Sequence, residues 1–159
     1  MYLLTVRLRL FPAAHAHHWH QNLLDHFFYA AEDRMAVWHN MSARGIRNKY
    51  LKDLWQQWRG LLLSYDEGLI KGDAVLATAV WRNMFKGKDD VDLADVALVT
   101  AYMRRQLKML DEMDDGQIAS GEVAFQSAAE MKSVLGRESA WMHKSFTAED
   151  VKGLEDKTG

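Results

Sequence analysis

Helix-breaking residues are scarce in this chain, and that scarcity constrains its fold more than any motif does. A single proline, Pro12, and ten glycines punctuate 159 residues. Proline removes a backbone donor and glycine frees the chain to turn, so having few of both leaves long uninterrupted segments. Many short strands joined by tight turns would need more breakers. Long helices need none.

Apolar periodicity says where those helices lie. Residues 1–10 can be helical up to the stop at Pro12, and residues 11–18 read as a loop of small residues and histidines. From Trp19 onward, Leu24, Phe28, Ala31, Met35 and Trp38 form one stripe, widened by Leu23, Phe27, Val37 and Met41. Arg44 and Gly45 are the expected end of that helix. A second long helix is expected from about residues 46–48 to Glu67, with Leu51, Leu54, Trp55, Trp58, Leu61, Leu62 and Tyr65 three and four apart. Gly68 then reads as the residue past its C-terminus, and Gly72-Asp73 as the entry and cap of a shorter helix reaching Lys86. Asp92 caps the next helix, with Asp95 placed as in a capping box, and its stripe of Val96, Val99, Met103, Leu107 and Leu110 fades at Asp114-Asp115-Gly116.

Beyond Gly121 the pattern weakens. Residues 123–125 are too short to assign, and residues 127–135 fit one amphipathic helix. Residues 141–146 carry isolated apolar side chains, and residues 151–159 are polar enough to be expected disordered. The predicted fold is therefore all-α: a single helical domain of five to six helices with a weakly ordered C-terminal tail.

Composition narrows the function classes. Hydrophobic residues at 48% and six Trp are ample for a core. A chain of this size buries about 70% of its unfolded surface, so no staple is needed. The absence of cysteine rules out disulfides and thiolate chemistry. No apolar run approaches the roughly 20 residues of a spanning helix. The net charge of −2 is not that of a dedicated nucleic-acid binder. Its distribution is uneven, however: residues 1–87 carry eleven Lys and Arg against seven Asp and Glu, and residues 88–159 nine against fifteen.

Four clusters invite a chemical reading. His15, His17, His18 and His20 are good metal ligands by type, but a flexible loop does not supply fixed geometry, so a plain polar loop is the simpler account. Asp66 and Glu67 are adjacent carboxylates. Neighbours on a helix point about 100° apart and cannot address one atom, so Arg82, Arg104 or Arg105 locking one of them is the simpler role. Trp38, Trp55, Trp58 and Trp81 lie on stripes and fit a core, or, beside Met35, Met41 and Met84, an adaptable groove. Arg7, Arg9, Arg44, Arg47, Lys49 and Lys52 suit helix-end solvation, RNA or an anionic membrane. Signatures of a serine, cysteine or lysine nucleophile, a phosphate loop or a zinc protease are all missing.

Several separated motifs share one register. Tyr65-Asp66-Glu67-Gly68, Asp73-Ala74, Leu76-Ala77-Thr78-Ala79-Val80-Trp81-Arg82-Asn83, Tyr102-Met103-Arg104-Arg105-Gln106-Leu107 and Gly121-Glu122-Val123 together resemble the ubiquinol–cytochrome c chaperone family, fungal mitochondrial members above all. The resemblance spans residues 1–125 and makes them the chaperone domain. It implies that this domain is truncated at its N-terminus, and that residues 126–159 form an extension, partly helical and then disordered. It further implies a non-enzymatic assembly factor of the mitochondrial cytochrome bc1 complex, on the matrix side of the inner membrane and peripherally associated with it. No cofactor or metal is implied. The implied partners are a small helical protein in an obligate heterodimer, newly made cytochrome b, and the mitochondrial ribosome near its tunnel exit, with an indirect link to cytochrome b mRNA.

The candidate partner- or client-binding residues are Tyr65, Asp66, Glu67, Trp81, Arg82, Asn83, Tyr102 and Arg105, expected on one surface. Two other readings stand beside this one: a haem- or metal-delivery factor using the histidines, and a ribosome- or mRNA-binding adaptor that never touches the client.

Overall fold

Pro12 separates a short helix from a long one. The computed structural model describes residues 1–137 and Ser145. Helix α1 spans Tyr2–Leu8, and α2 spans Ala13–Val37. The stretch expected as a histidine loop is thus helical from Ala13. Pro12 sits at the N-cap, where its missing N–H is not needed, and two alanines follow. Phe11, just before it, is buried and anchors the entry. Helix α2 also stops earlier than expected, at Val37, because Asn40 takes a left-handed conformation (φ 51°) and turns the chain. Arg44, expected in the last turn of this helix, is instead the first residue of the next.

Helix α3 spans Arg44–Lys71 and runs straight through Gly68. The expected terminus there is overturned by packing: a Cβ on Gly68 would lie 2.5 Å from the Leu76 Cα. Gly68 is therefore glycine to let two helices meet closely. The break falls four residues later at Gly72 (φ 111°), which leads into α4, Asp73–Met84. Asp73 makes no capping hydrogen bond; it is the first helical residue, where its charge suits the helix dipole. Lys86 and Gly87, both left-handed, end that segment.

Helix α5, Leu93–Glu112, starts as expected, with the Asp92 carboxylate accepting from the Ala94 N–H at 2.8 Å. A short helix that periodicity did not reveal follows, α6 at Asp115–Ser120. Its signal was local: Asp114 and Gln117 form a reciprocal capping box, and Gly121 closes it at φ 79°. Residues expected as an amphipathic helix form a 3₁₀ segment, Ala128–Val134, with Met131 buried beneath it. The expectations for residues 141–146 (Ser145 apart) and 151–159 fall outside the described residues. Among the described residues there is no strand, as an all-α fold requires.

Two apolar clusters hold these elements. The larger joins Tyr2 of α1, Leu24 of α2, Trp58 and Tyr65 of α3, Leu76, Ala79 and Val80 of α4, and Val96 and Met103 of α5. The smaller joins Leu8, Phe11, Leu110 and Ile118. Each fully buried Leu or Val contributes about 2 kcal/mol of transfer free energy. Arg7 is buried between the clusters and answers the carbonyls left free at the end of α5. Its Nε donates to Leu110 O and its Nη2 to Met113 O, both at 2.8 Å, and Nη2 also meets Asp115 at 2.7 Å.

Candidate functional site

An apolar groove opens where α2, α3 and α4 diverge. Its walls are Phe27 of α2, Leu54, Trp58 and Leu61 of α3, and Met1, around a volume of about 510 Å³. Gly60 leaves one wall low, and Gln57, Arg82 and Asn83 supply the polar groups. The indole N–H of Trp58 is buried and has no acceptor among the described residues. Asn83 is fixed rather than free: its Nδ2 donates to Ala79 O at 2.7 Å and to Ser64 Oγ at 3.0 Å, tying α4 to α3. Arg82 is exposed and makes no ion pair among the described residues.

The eight candidate residues do not share one surface. Only Arg82 and Asn83 line the groove. Tyr65 is 4% exposed, packed edge-to-face on Tyr2 with ring centroids 5.0 Å apart. Burial pushes its phenol up from its ordinary pKa, so it stays neutral. Asp66 faces α1, accepting from Tyr2 OH at 3.0 Å and from Arg9 at 2.9 Å. Burial, and then that hydrogen bond, hold the Tyr2 phenol well above its usual range. Glu67 points the other way and takes Lys71 at 2.6 Å, a contact that lowers its pKa.

Trp81 is half-buried and donates to Lys88 O at 2.8 Å, which closes the turn after α4. Tyr102 lines a second cleft of about 340 Å³ between α5 and the 3₁₀ segment, and Arg105 pairs with Glu130 of that segment at 2.6 Å. The expected lock on one of these carboxylates thus comes from Arg9, on Asp66, and not from Arg82, Arg104 or Arg105; Glu67 pairs within its own helix. Arg104 instead binds Asp73 at 2.8 Å and the Gly68 and Leu69 carbonyls.

The tryptophans divide as well. Trp58 is core and groove wall together, Trp55 packs edge-to-face on Phe28 while remaining open on one side, and Trp38 is 78% exposed. The core reading fails for Trp38. The methionines expected beside a groove do not line this one, whereas Phe27, Leu54 and Gln57, never singled out as site residues, do. The available signal was an apolar stripe on α3 wider than one packed face requires.

The histidines lie on the first turns of α2, splayed around it. His18 bonds Asn22 at 3.1 Å, and among the described residues no group of three His, Asp or Glu is placed to hold a metal ion. His20 is held below its ordinary pKa by burial first, then by the charges of Arg9 and His17.

Residues 1–125 match the family described as ubiquinol–cytochrome C chaperone. The chain belongs to that family. Among its relatives, Protein CBP3, mitochondrial, of Saccharomyces cerevisiae is 36% identical over 124 residues, covering 78% of this chain and 37% of that protein. The ubiquinol–cytochrome c reductase complex assembly factor 1 of Drosophila melanogaster is 33% identical over 57% of this chain, and that of Homo sapiens 29% identical over 59%. The chain spans between about a third and two fifths of the length of these three relatives: 37%, 38% and 34%. No solved structure matches it.

Proposed function

We propose that this chain is the helical domain of an assembly chaperone for the mitochondrial cytochrome bc1 complex, working on the matrix side of the inner membrane. The observation that carries this reading is the family match over residues 1–125, together with relatives named for assembly of ubiquinol–cytochrome c reductase. In this reading the chain binds and does not catalyse. Its client is newly made cytochrome b, and it acts as a heterodimer with a small helical partner, near the mitochondrial ribosome's exit, in support of cytochrome b translation.

The groove fits that role chemically. A newly made membrane protein presents apolar side chains that aggregate in water, and a channel of Phe27, Leu54, Trp58 and Leu61 removes them from it. Gln57 and Arg82 give such a segment polar contacts that set its register. Metal delivery by the α2 histidines gains no support, because among the described residues no three of them are placed to hold one ion.

The test is a photocrosslinking amino acid at position 82, in mitochondria translating labelled products in the presence of the small partner. A crosslink to newly made cytochrome b is the expected result. Crosslinks confined to the small partner, or to ribosomal components, would remove the groove as the client site.

A further inference from the structure

The distal halves of α2 and α3 leave the body of the protein. None of residues 29–57 belongs to either apolar cluster. At 1.5 Å per residue, Phe28 to Val37 carries α2 about 13 to 14 Å past its last core position. The turn at the end is nevertheless built. Arg47 Nη1 donates to the Met41 and Ser42 carbonyls, both at 2.8 Å, and its Nε to Glu32 at 3.2 Å.

What this arm presents is unusual for a surface that only faces water. Val37, Trp38, Ile46 and Tyr50 are all exposed, and Ile46 and Tyr50, four apart, share a face of α3. Around them Arg34, Arg44, Lys49 and Lys52 are exposed and make no ion pair among the described residues. Residues 34–52 hold five Lys and Arg and no Asp or Glu. The nearest carboxylates along the chain, Asp33 and Asp53, flank this stretch, and Glu32 is engaged by Arg47.

Aliphatic side chains, an indole and a phenol ringed by unpaired cations are the chemistry of a bilayer interface. The apolar groups enter the acyl boundary, the aromatic rings sit at headgroup level, and the cations meet lipid phosphates. A nucleic-acid surface would use the cations and stack on Trp38 and Tyr50, but it has no use for Val37 and Ile46. We infer that the tip of the α2–α3 arm, residues 34–52, docks on an anionic lipid bilayer. This extends the membrane location proposed above. Its test involves neither client nor partner, so either reading can fail alone.

The experiment is flotation of the chain with vesicles of phosphatidylcholine alone and of phosphatidylcholine with phosphatidylglycerol. Binding to the second and not the first is expected. Replacing Arg44, Lys49 and Lys52 together by Gln lowers the partition coefficient about a hundred-fold, since each basic residue near an anionic surface is worth about fivefold. A Trp38→Ser, Ile46→Ser variant loses at least about tenfold through apolar area alone. Arg47 is left intact in both variants because it holds the turn, and circular dichroism with thermal melting verifies that each remains folded. Equal binding to both vesicle types, or undiminished binding by either variant, overturns the inference. Single-stranded RNA bound by the chain and lost in the Gln variant, with no vesicle binding, overturns it in favour of a nucleic-acid surface.

Discussion

Helix α3 passes through two environments. Its C-terminal half carries Ser64, Tyr65 and Gly68 through the packed base of the molecule, whereas its N-terminal half leaves Ile46 and Tyr50 in water. In the base, apolar side chains are consumed by folding, and the buried Arg7 is held by three bonds. In the arm, comparable side chains are spared. Apolar surface that does not stabilise the fold is available for binding, and the bonds of Arg47 hold the turn that presents it. The base explains why the chain folds; the arm and the adjoining groove explain what it has left to use.

Two arginines test this division most strongly, since both donate to two backbone carbonyls. Arg7 does so from a buried position, and Arg47 from a partly buried one whose partners Ser42 and Glu32 are open to water. Arg7→Met leaves the Leu110 carbonyl unpaired and strips Asp115 of its partner, and the expected loss is about 3 kcal/mol. Arg47→Met costs about 1–2 kcal/mol, because water replaces the bond to the exposed Ser42 carbonyl but only part of the others. Urea unfolding followed by circular dichroism measures both. Equal losses would mean that the arm is as integral to the cooperative unit as the base is.

How legible this was in the sequence follows the same line. The stripes of α2, α3 and α5 could be read because burial imposes a 3.6-residue period. Phe28, Leu61 and Met103 stand where that period puts them. Gly68 was misread because the sequence shows a glycine near a helix end and not the Leu76 backbone pressed against it. The histidine stretch looked irregular because His and Ala carry no apolar pattern, yet the N-cap position of Pro12 was enough to start a helix. The site was the least legible part. Tyr65 and Trp81 stand in recognisable motifs, but long-range packing on Tyr2 makes the first core, and a local bond to the Lys88 carbonyl makes the second a turn clamp. The groove came from Phe27, Leu54 and Trp58, which look like ordinary stripe residues until helix divergence is known.

A pair of glycines in α3 sharpens the comparison at smaller cost. In a helix interior, Gly→Ala ordinarily stabilises by up to about 1 kcal/mol. At Gly45, in the arm, an added Cβ meets nothing within 4 Å, so Gly45→Ala is expected to raise stability by about 0.5 kcal/mol. At Gly68 the same methyl meets the Leu76 Cα at 2.5 Å and its Cβ at 2.9 Å. Helices α3 and α4 must then separate, and overpacking of about 3 kcal/mol outweighs the propensity gain, for a net loss of about 2 kcal/mol. Opposite signs in thermal melts support the division; a stabilised Gly68→Ala variant would show that the α3–α4 contact yields freely.

The smallest expected effect is the most informative about the arm. Tryptophan is the largest apolar side chain, and removing one from a core costs about 3–5 kcal/mol. Trp38 is 78% exposed and belongs to neither cluster, so the folded state gains little from it. Trp38→Ser should therefore change the unfolding free energy by no more than about 0.5 kcal/mol, the range of ordinary surface substitutions. A loss near the core value would mean that Trp38 is covered in the folded protein, which would take the indole away from any lipid surface. A negligible loss leaves a large apolar side chain at the tip of a basic arm with no role in stability, and its role is then to be sought in what the arm touches.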